Sequence, residues 1–72
     1  MNQRLLNGLR AERERLGLTQ GALAERVGVS RKTINTIENL VFTPSALLAL
    51  KLARSLGKPV EEIFWLEGDA GA

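Results

Sequence analysis

The fold is decided by residues 20–40, which read QGALAERVGVSRKTINTIENL. Apolar residues recur at helical spacing on either side of Gly28, and each run is too short to form a stable helix alone. The two runs must therefore bury against each other. The first comprises Ala22, Leu23, Ala24 and Val27, and the second includes Thr33, Ile34 and Ile37.

Turn and capping residues separate these two runs. Gly28 can adopt a positive φ at little cost, which predicts a sharp turn between two helices. Ser30 then stands at the expected N-cap of the second helix, and Thr19 has the same position before the first. The small side chain of Ala24 suits a close crossing of the pair. The stretch therefore predicts helix, tight turn, helix.

Length and composition limit what else the chain can be. Its 72 residues predict one domain, residues 1–67 with the helix-turn-helix at 20–39, followed by a flexible tail at 68–72. The chain has no cysteine and no histidine, which excludes disulfides and the usual zinc-ligand sets, so we expect no metal and no cofactor. The apolar run 46–50 is too short to span a bilayer and no leader-like segment opens the sequence, so we expect a cytoplasmic protein with no membrane partner.

Charge is unevenly distributed along the chain. Residues 1–58 contain ten basic and four acidic residues, a net charge of +6, whereas residues 59–72 contain four acidic residues and no basic one. The basic part suits a polyanion such as DNA. The acidic C-terminal segment is expected to point away from it.

The pattern predicts an all-α fold of five helices and no strand. The predicted bounds are about Asn2 to Leu16, Gln20 to Val27, Arg31 to Asn39, Pro44 to Gly57, and Val60 to Leu66. Thr43 or Ser45 is expected to cap the fourth helix, with Pro44 in its first turn. Inward leucines are predicted at positions 5, 6, 9 and 16 of the first helix and at 47, 48, 50, 52 and 56 of the fourth.

A set of residues spread over positions 9–64 forms a recognisable pattern. Its members are Arg13, residues 17–20, Leu23-Ala24, residues 28–30, Ile34, residues 37–39 and residues 43–45. In this pattern residues 9–64 resemble the Xre or Cro/C1-type helix-turn-helix family of phage and bacterial repressors, especially its small stand-alone members. The resemblance implies a lambda-repressor-like DNA-binding domain, a homodimer, and a palindromic double-stranded DNA operator as partner.

The resemblance also implies roles for individual residues. Arg31 and Lys32 match positions that reach base edges in the major groove, with Asn35 and Thr36 one turn further on, and the chemistry of these side chains suits base contacts. Arg31 and Lys32 as ordinary solvated charges remain the alternative. Gln20 matches a phosphate-binding position, and Arg13 and Glu38 match a buried structural ion pair. Ser30, Thr33, Asn39 and Thr43 have side chains that suit phosphate contacts.

One segment departs from the family pattern. Relatives commonly have Gly and then a basic residue after Glu38-Asn39, whereas this chain has Leu40, Val41 and Phe42. The change removes a residue suited to the helix C-terminus and a phosphate contact. It predicts looser DNA binding or a loop that packs hydrophobically, with Phe42 covering the core beside the fourth helix.

The C-terminal apolar cluster allows two interpretations. Ile63, Phe64, Trp65 and Leu66 are consecutive, and one short helix cannot bury all four against its own core. They are predicted to form a homodimer interface, because aromatic residues are favoured at interface centres. In the alternative, Ile63 and Phe64 face the core and Trp65 lies across its edge.

Enzymatic activity is not expected from this sequence. It has no catalytic His or Cys and no glycine-rich phosphate loop, and Glu61 and Glu62 are adjacent, so they point about 100° apart on a helix. The prediction is a sequence-specific transcriptional regulator, most simply a repressor. The rival is a protein-interaction module, such as an antitoxin or regulatory subunit with a protein partner.

Overall fold

The computed structural model describes residues 3–68. This range contains five helices and a two-stranded ribbon, in which a strand near its start pairs with a strand near its end. The elements in chain order are β1 (Leu5–Asn7), α1 (Leu9–Arg15), α2 (Gln20–Val27), α3 (Arg31–Glu38), α4 (Ala46–Leu56), α5 (Val60–Ile63) and β2 (Phe64–Leu66). The predicted start of the first helix at Asn2 and most of the predicted tail, residues 69–72, lie outside the described range.

The helix-turn-helix prediction is confirmed by α2 and α3. The Thr19 side chain accepts a hydrogen bond from the Ala22 amide at 3.0 Å and caps α2. Gly28 ends α2 in the left-handed region with φ 77°. Ser30 then caps α3 by accepting from the Thr33 amide at 3.2 Å. Each device acts over three or four residues, so local sequence is sufficient to specify it.

The N-terminal segment differs from the prediction, because it is a strand and not the first turns of a helix. β1 pairs antiparallel with β2, with Leu5 opposite Leu66 and Asn7 opposite Phe64. The side-chain oxygen of Asn7 accepts a hydrogen bond from the Leu9 amide at 3.1 Å. This amide would bond a preceding backbone carbonyl if the helix continued towards the N-terminus, so the Asn7 side chain takes the place of that carbonyl. An Asn-Gly pair is a turn signal, and it marks where α1 begins.

The C-terminal helix is also shorter than predicted. α5 contains four residues and ends at Ile63, and the chain then extends into β2. The residues Ile63, Phe64 and Trp65 are β-branched or aromatic and favour strands when a pairing partner is available. The fold is mainly helical but also contains the β1–β2 ribbon. The prediction of a strictly all-α fold is therefore wrong at the two ends of the described residues.

The core lies where α1, α2, α3, α4 and α5 meet. Its six fully buried large side chains are Leu9, Leu23, Ile34, Ile37, Leu52 and Ile63. Ala24 is buried in the same cluster, as its predicted place at a close helix crossing requires.

Several predicted core positions prove to be on the surface. Leu16 is 42% exposed because it lies at the C-cap of α1, and Leu47 and Leu50 are 66% and 57% exposed on α4. Helix α4 begins at Ala46 with Ser45 as its N-cap, so Pro44 precedes the helix and is not in its first turn. The apolar positions of α4 exceed what one helix face can bury, and the sequence does not reveal which of them face solvent.

Candidate nucleic-acid interface

Helix α3 has one buried face and one exposed polar face. Ile34 and Ile37 are buried in the core, whereas Arg31, Lys32 and Asn35 are exposed. The helix is therefore held by its apolar side and leaves three of its four predicted base-reading side chains open to solvent, whereas the fourth, Thr36, is half-buried.

The two basic residues of α3 are free of acidic partners within residues 3–68. By contrast, Arg15 and Lys58 both pair with Glu12, at 2.8 and 3.1 Å. Arg26, Lys51 and Arg54 are exposed and also form no ion pair within residues 3–68. Arg31 and Lys32 form no such ion pair in this part of the chain. Their charge remains available to an anionic ligand.

The predicted pair of Arg13 and Glu38 is present and buried. Arg13 Nε donates to Glu38 Oε2 at 2.7 Å and a terminal guanidinium nitrogen donates to Oε1 at 3.2 Å, a bidentate contact. The Glu38 side chain is fully buried and that of Arg13 is 10% exposed. Arg13 also donates to the Leu18 carbonyl at 2.9 Å, which ties α1 to the turn before α2.

The surroundings of Glu38 keep its carboxyl group ionised. Burial by itself would raise the pKa of Glu38, but hydrogen bonds from Arg13 and Gln20, with the charge of Arg13, outweigh burial and lower it below its usual value. The hydrogen bond that Arg13 donates to Glu38 raises the pKa of Arg13 despite burial. Both groups are therefore charged at neutral pH, and the pair is a structural contact between α1 and the end of α3.

Gln20 connects this buried pair to the exposed face of α3, a link that the sequence analysis missed. Its Nε2 donates to Glu38 Oε1 at 3.0 Å, and its Oε1 accepts from the Arg31 guanidinium at 3.2 Å. Gln20 was predicted as a phosphate contact, and here both ends of its amide have protein partners. One guanidinium nitrogen of Arg31 is thereby oriented by the fold.

The remaining polar residues of the predicted interface bond mainly to one another. The Ser30 and Thr33 hydroxyls are 3.1 Å apart, and the Thr36 hydroxyl donates to the Thr33 carbonyl at 2.9 Å. Asn39 donates through its side chain to the Asn35 carbonyl at 2.9 Å. Thr43 is exposed in the loop before α4. These residues lie on or beside α3. A hydroxyl group that already donates to another group of the protein cannot at the same time donate its proton to a DNA phosphate.

The loop at residues 40–42 does not pack into the core. Val41 is 77% exposed and Phe42 47% exposed, so the expectation that Phe42 covers the core beside α4 is wrong. Leu40 has φ 62°, a left-handed conformation that disfavours a branched side chain and suits the Gly expected here. The amides of Val41 and Phe42 both donate to the Thr36 carbonyl, at 2.8 and 3.1 Å, which holds the loop against the end of α3.

The predicted dimer residues separate into two pairs. Ile63 is fully buried and Phe64 is 7% exposed, so both belong to the core of the single chain and are not available as a surface. Trp65 is half-buried and lies over Gly8, where an added Cβ would be 3.4 Å from the indole ring, and Leu66 is 44% exposed. The alternative interpretation of the cluster therefore describes Ile63, Phe64 and Trp65 in the isolated chain.

A second contact that could not be predicted from the sequence stabilises the end of α3. The Asn7 side-chain amide donates to the Ile37 carbonyl at 3.0 Å, across 30 positions of sequence. The Ile37 carbonyl thus accepts a second bond beside that from the Leu40 amide, and the Asn7 side-chain oxygen also accepts from the Leu9 amide at the start of α1. No signal near Ile37 predicts such a distant partner.

Comparison with known proteins agrees with this geometry. The model of the helix-turn-helix family matches residues 9–63, so the chain belongs to that family, of the Cro/C1 type. An uncharacterized HTH-type transcriptional regulator of Methanothermobacter thermautotrophicus is 50% identical over 62 residues, covering 85% of this chain and 90% of the relative. The uncharacterized HTH-type transcriptional regulator YgzD of Bacillus subtilis is 43% identical over 61 residues, covering 85% and 92%.

A solved structure shares the fold. The restriction-modification controller protein C.AhdI from Aeromonas hydrophila superimposes with a TM-score of 0.71 at 33% identity, covering 75% of this chain and 78% of that one. Together the family and these relatives define a DNA-binding transcriptional regulator that is not an enzyme. No helix within residues 3–68 has the length and apolar character needed to cross a membrane.

Proposed function

We propose that this regulator binds a specific operator by inserting α3 into the major groove, and that it represses transcription in the cytoplasm by occluding a promoter. One observation carries the proposal: α3 exposes Arg31, Lys32 and Asn35 while its opposite face is buried, and its two cations have no acidic partner within residues 3–68. Such a helix matches the recognition element of helix-turn-helix proteins.

The proposed base contacts follow from side-chain chemistry. Arg31 and Lys32 suit guanine O6 and N7, Asn35 can bond adenine through two atoms, and the Thr36 methyl group can contact thymine. Each good contact would contribute about 1–3 kcal/mol of discrimination against a wrong base. Arg31 is supported further by Gln20, because a guanidinium already held in place loses less conformational entropy on binding.

The proposed phosphate contacts surround these residues. Hydroxyl and amide groups beside a recognition helix commonly bond phosphate oxygens and set its register on the duplex. Gln20 would need to exchange one of its two internal bonds to do so. The assigned residues are Gln20, Ser30, Thr33, Asn39 and Thr43.

The proposed functional unit is a homodimer on a palindrome. Two recognition helices about 34 Å apart would meet successive major grooves on one side of the duplex. With Ile63 and Phe64 in the core, the interface is proposed at Trp65, Leu66 and the outer edges of the β1–β2 ribbon. Exposed backbone edges and an exposed apolar residue at the ribbon favour this location.

A second candidate function is a protein-interaction module, such as an antitoxin or regulatory subunit. It is favoured by the exposed apolar side chains of α4, where Leu47 and Leu50 are 66% and 57% exposed. Such residues on one helix face suit a protein partner. The two functions are compatible in one molecule.

Selection from a randomised duplex library at moderate salt tests the proposal. We expect enrichment of a palindrome with half-sites about one turn apart. Arg31→Ala should relax the preference at one position of each half-site, whereas Lys51→Ala, which removes an exposed cation from α4, should leave the consensus unchanged. Recovery of duplexes without a consensus would contradict specific operator binding and favour the interaction module.

A further inference from the structure

An apolar groove lies beside the exposed face of α3. It has a volume of about 310 Å³ and contains no acidic residue in its lining. The lining residues are Ser30, Lys32, Thr33, Thr36, Val41 and Phe42. We call it the Val41–Phe42 groove. Two of its members, Lys32 and Thr36, are also proposed base-reading residues, so the groove is continuous with the DNA-binding face.

The backbone donors of residues 41 and 42 and the hydroxyl of Thr36 are already used within the protein. The amides of Val41 and Phe42 donate to the Thr36 carbonyl, and the Thr36 hydroxyl donates to the Thr33 carbonyl. The loop therefore has little to offer a phosphate through its backbone. What it presents are apolar side chains, with Val41 77% exposed and Phe42 47% exposed.

Double-stranded DNA has one apolar group at the edge of its major groove, the 5-methyl group of thymine. A groove that contains isopropyl, phenyl and Thr methyl surfaces suits that group. The ammonium group of Lys32 at its border suits the O6 and N7 acceptors of a guanine beside that thymine, and no carboxylate lines the groove.

We propose that Val41 and Phe42, together with Thr36, form a thymine-methyl site that selects thymine at one position of each operator half-site. The inference rests on the proposed function, because it places the groove against the duplex that α3 reads. It makes residues 41 and 42 specificity determinants where the family pattern has a phosphate-binding residue.

Replacement of thymine by deoxyuridine tests the site, since it removes the methyl group and keeps every hydrogen-bonding atom. Each thymine of the selected operator is replaced in turn, and the dissociation constant is measured for the wild-type protein. At one thymine per half-site we expect binding about fourfold weaker, which corresponds to about 0.8 kcal/mol for one buried methyl group.

Two variants assign this penalty to the groove. In Val41→Ser the ratio between uracil and thymine operators should fall to about one, and the high exposure of Val41 makes the change harmless to folding. Leu50→Ser removes a comparably exposed apolar side chain from α4, outside the groove, and should retain the fourfold ratio.

Three results would overturn the inference while leaving specific DNA binding intact. These are a wild-type protein indifferent to every uracil substitution, an undiminished penalty in Val41→Ser, and a loss of dimer by Val41→Ser in sedimentation without DNA. The last would mean that a second copy of the chain covers the groove. Failure to select any consensus operator would instead contradict the proposed function itself.

Discussion

Removing the carboxylate of Glu38 is expected to unfold the domain before it changes base preference. The side chain is fully buried and accepts hydrogen bonds from Arg13, Gln20 and Arg10, so Glu38→Ala leaves the nearly buried Arg13 charge unpaired. Breaking a buried pair in this way costs about 3–5 kcal/mol. A 72-residue domain has a total stability of about 4–11 kcal/mol, so the loss is at least about a quarter of it and equals the whole at the low end of that range.

Urea denaturation followed by circular dichroism measures this loss. With a slope of about 1–3 kcal/mol per molar, the midpoint of Glu38→Ala should fall by at least about 1 M. Glu25→Ala is the matched control, because Glu25 is exposed on α2 and forms no ion pair within residues 3–68. It should change stability by less than about 0.5 kcal/mol.

A double variant separates a stranded charge from lost packing. Replacing Arg13 with Met and Glu38 with Leu removes both charges, and buried pairs exchanged for apolar residues are often neutral in stability. The double variant should therefore be more stable than Glu38→Ala. A Glu38→Ala protein whose urea midpoint matches that of Glu25→Ala would refute the assigned role of the pair.

Three other predictions follow from local features of the structure. Leu40→Gly should stabilise the domain by about 1 kcal/mol by relieving the left-handed strain at φ 62°, seen as a higher melting temperature; an unchanged or lower value would argue against strain. Because the pKa of Glu38 is lowered in the folded state, its contribution is complete above its usual value of 4.5 and is lost as the pH falls through the folded pKa. Wild-type stability should accordingly decline more steeply than that of Glu38→Gln as the pH falls below 4.5, and parallel declines in urea titrations would be inconsistent with this. Trp65→Ala should lower both the dimer fraction in sedimentation and the affinity for the operator, and an unchanged oligomer would exclude the ribbon interface.

The candidate site was predictable in its residues and less so in its connections. Arg31, Lys32 and Asn35 could be assigned to an exposed face because Ile34 and Ile37 define the buried face of the same short helix. The link from Glu38 through Gln20 to Arg31 could not be predicted, because it depends on how α2 and α3 are packed. Side chains 11 and 18 positions apart meet only after that packing is complete.

The loop after α3 shows a related limit. The sequence indicated that residues 40–42 depart from the family pattern, but both packing against the core and loose binding were consistent with their composition. The structure excludes packing against the core, since the amides of Val41 and Phe42 donate to the Thr36 carbonyl and their side chains remain exposed. Looser DNA binding stays a prediction. Hydrogen bonds between backbone groups cannot be predicted from the hydrophobicity of the side chains.

The helix-turn-helix could be predicted from the sequence, because its capping and turn residues act within a few positions. Thr19, Gly28 and Ser30 each stabilise the conformation of their own neighbours, so their meaning does not depend on the rest of the chain. The strand at Leu5–Asn7 could not be predicted from local sequence, since its partner Phe64–Leu66 lies almost a whole chain away. A strand obtains its backbone hydrogen bonds from another segment, whereas a helix obtains them from itself.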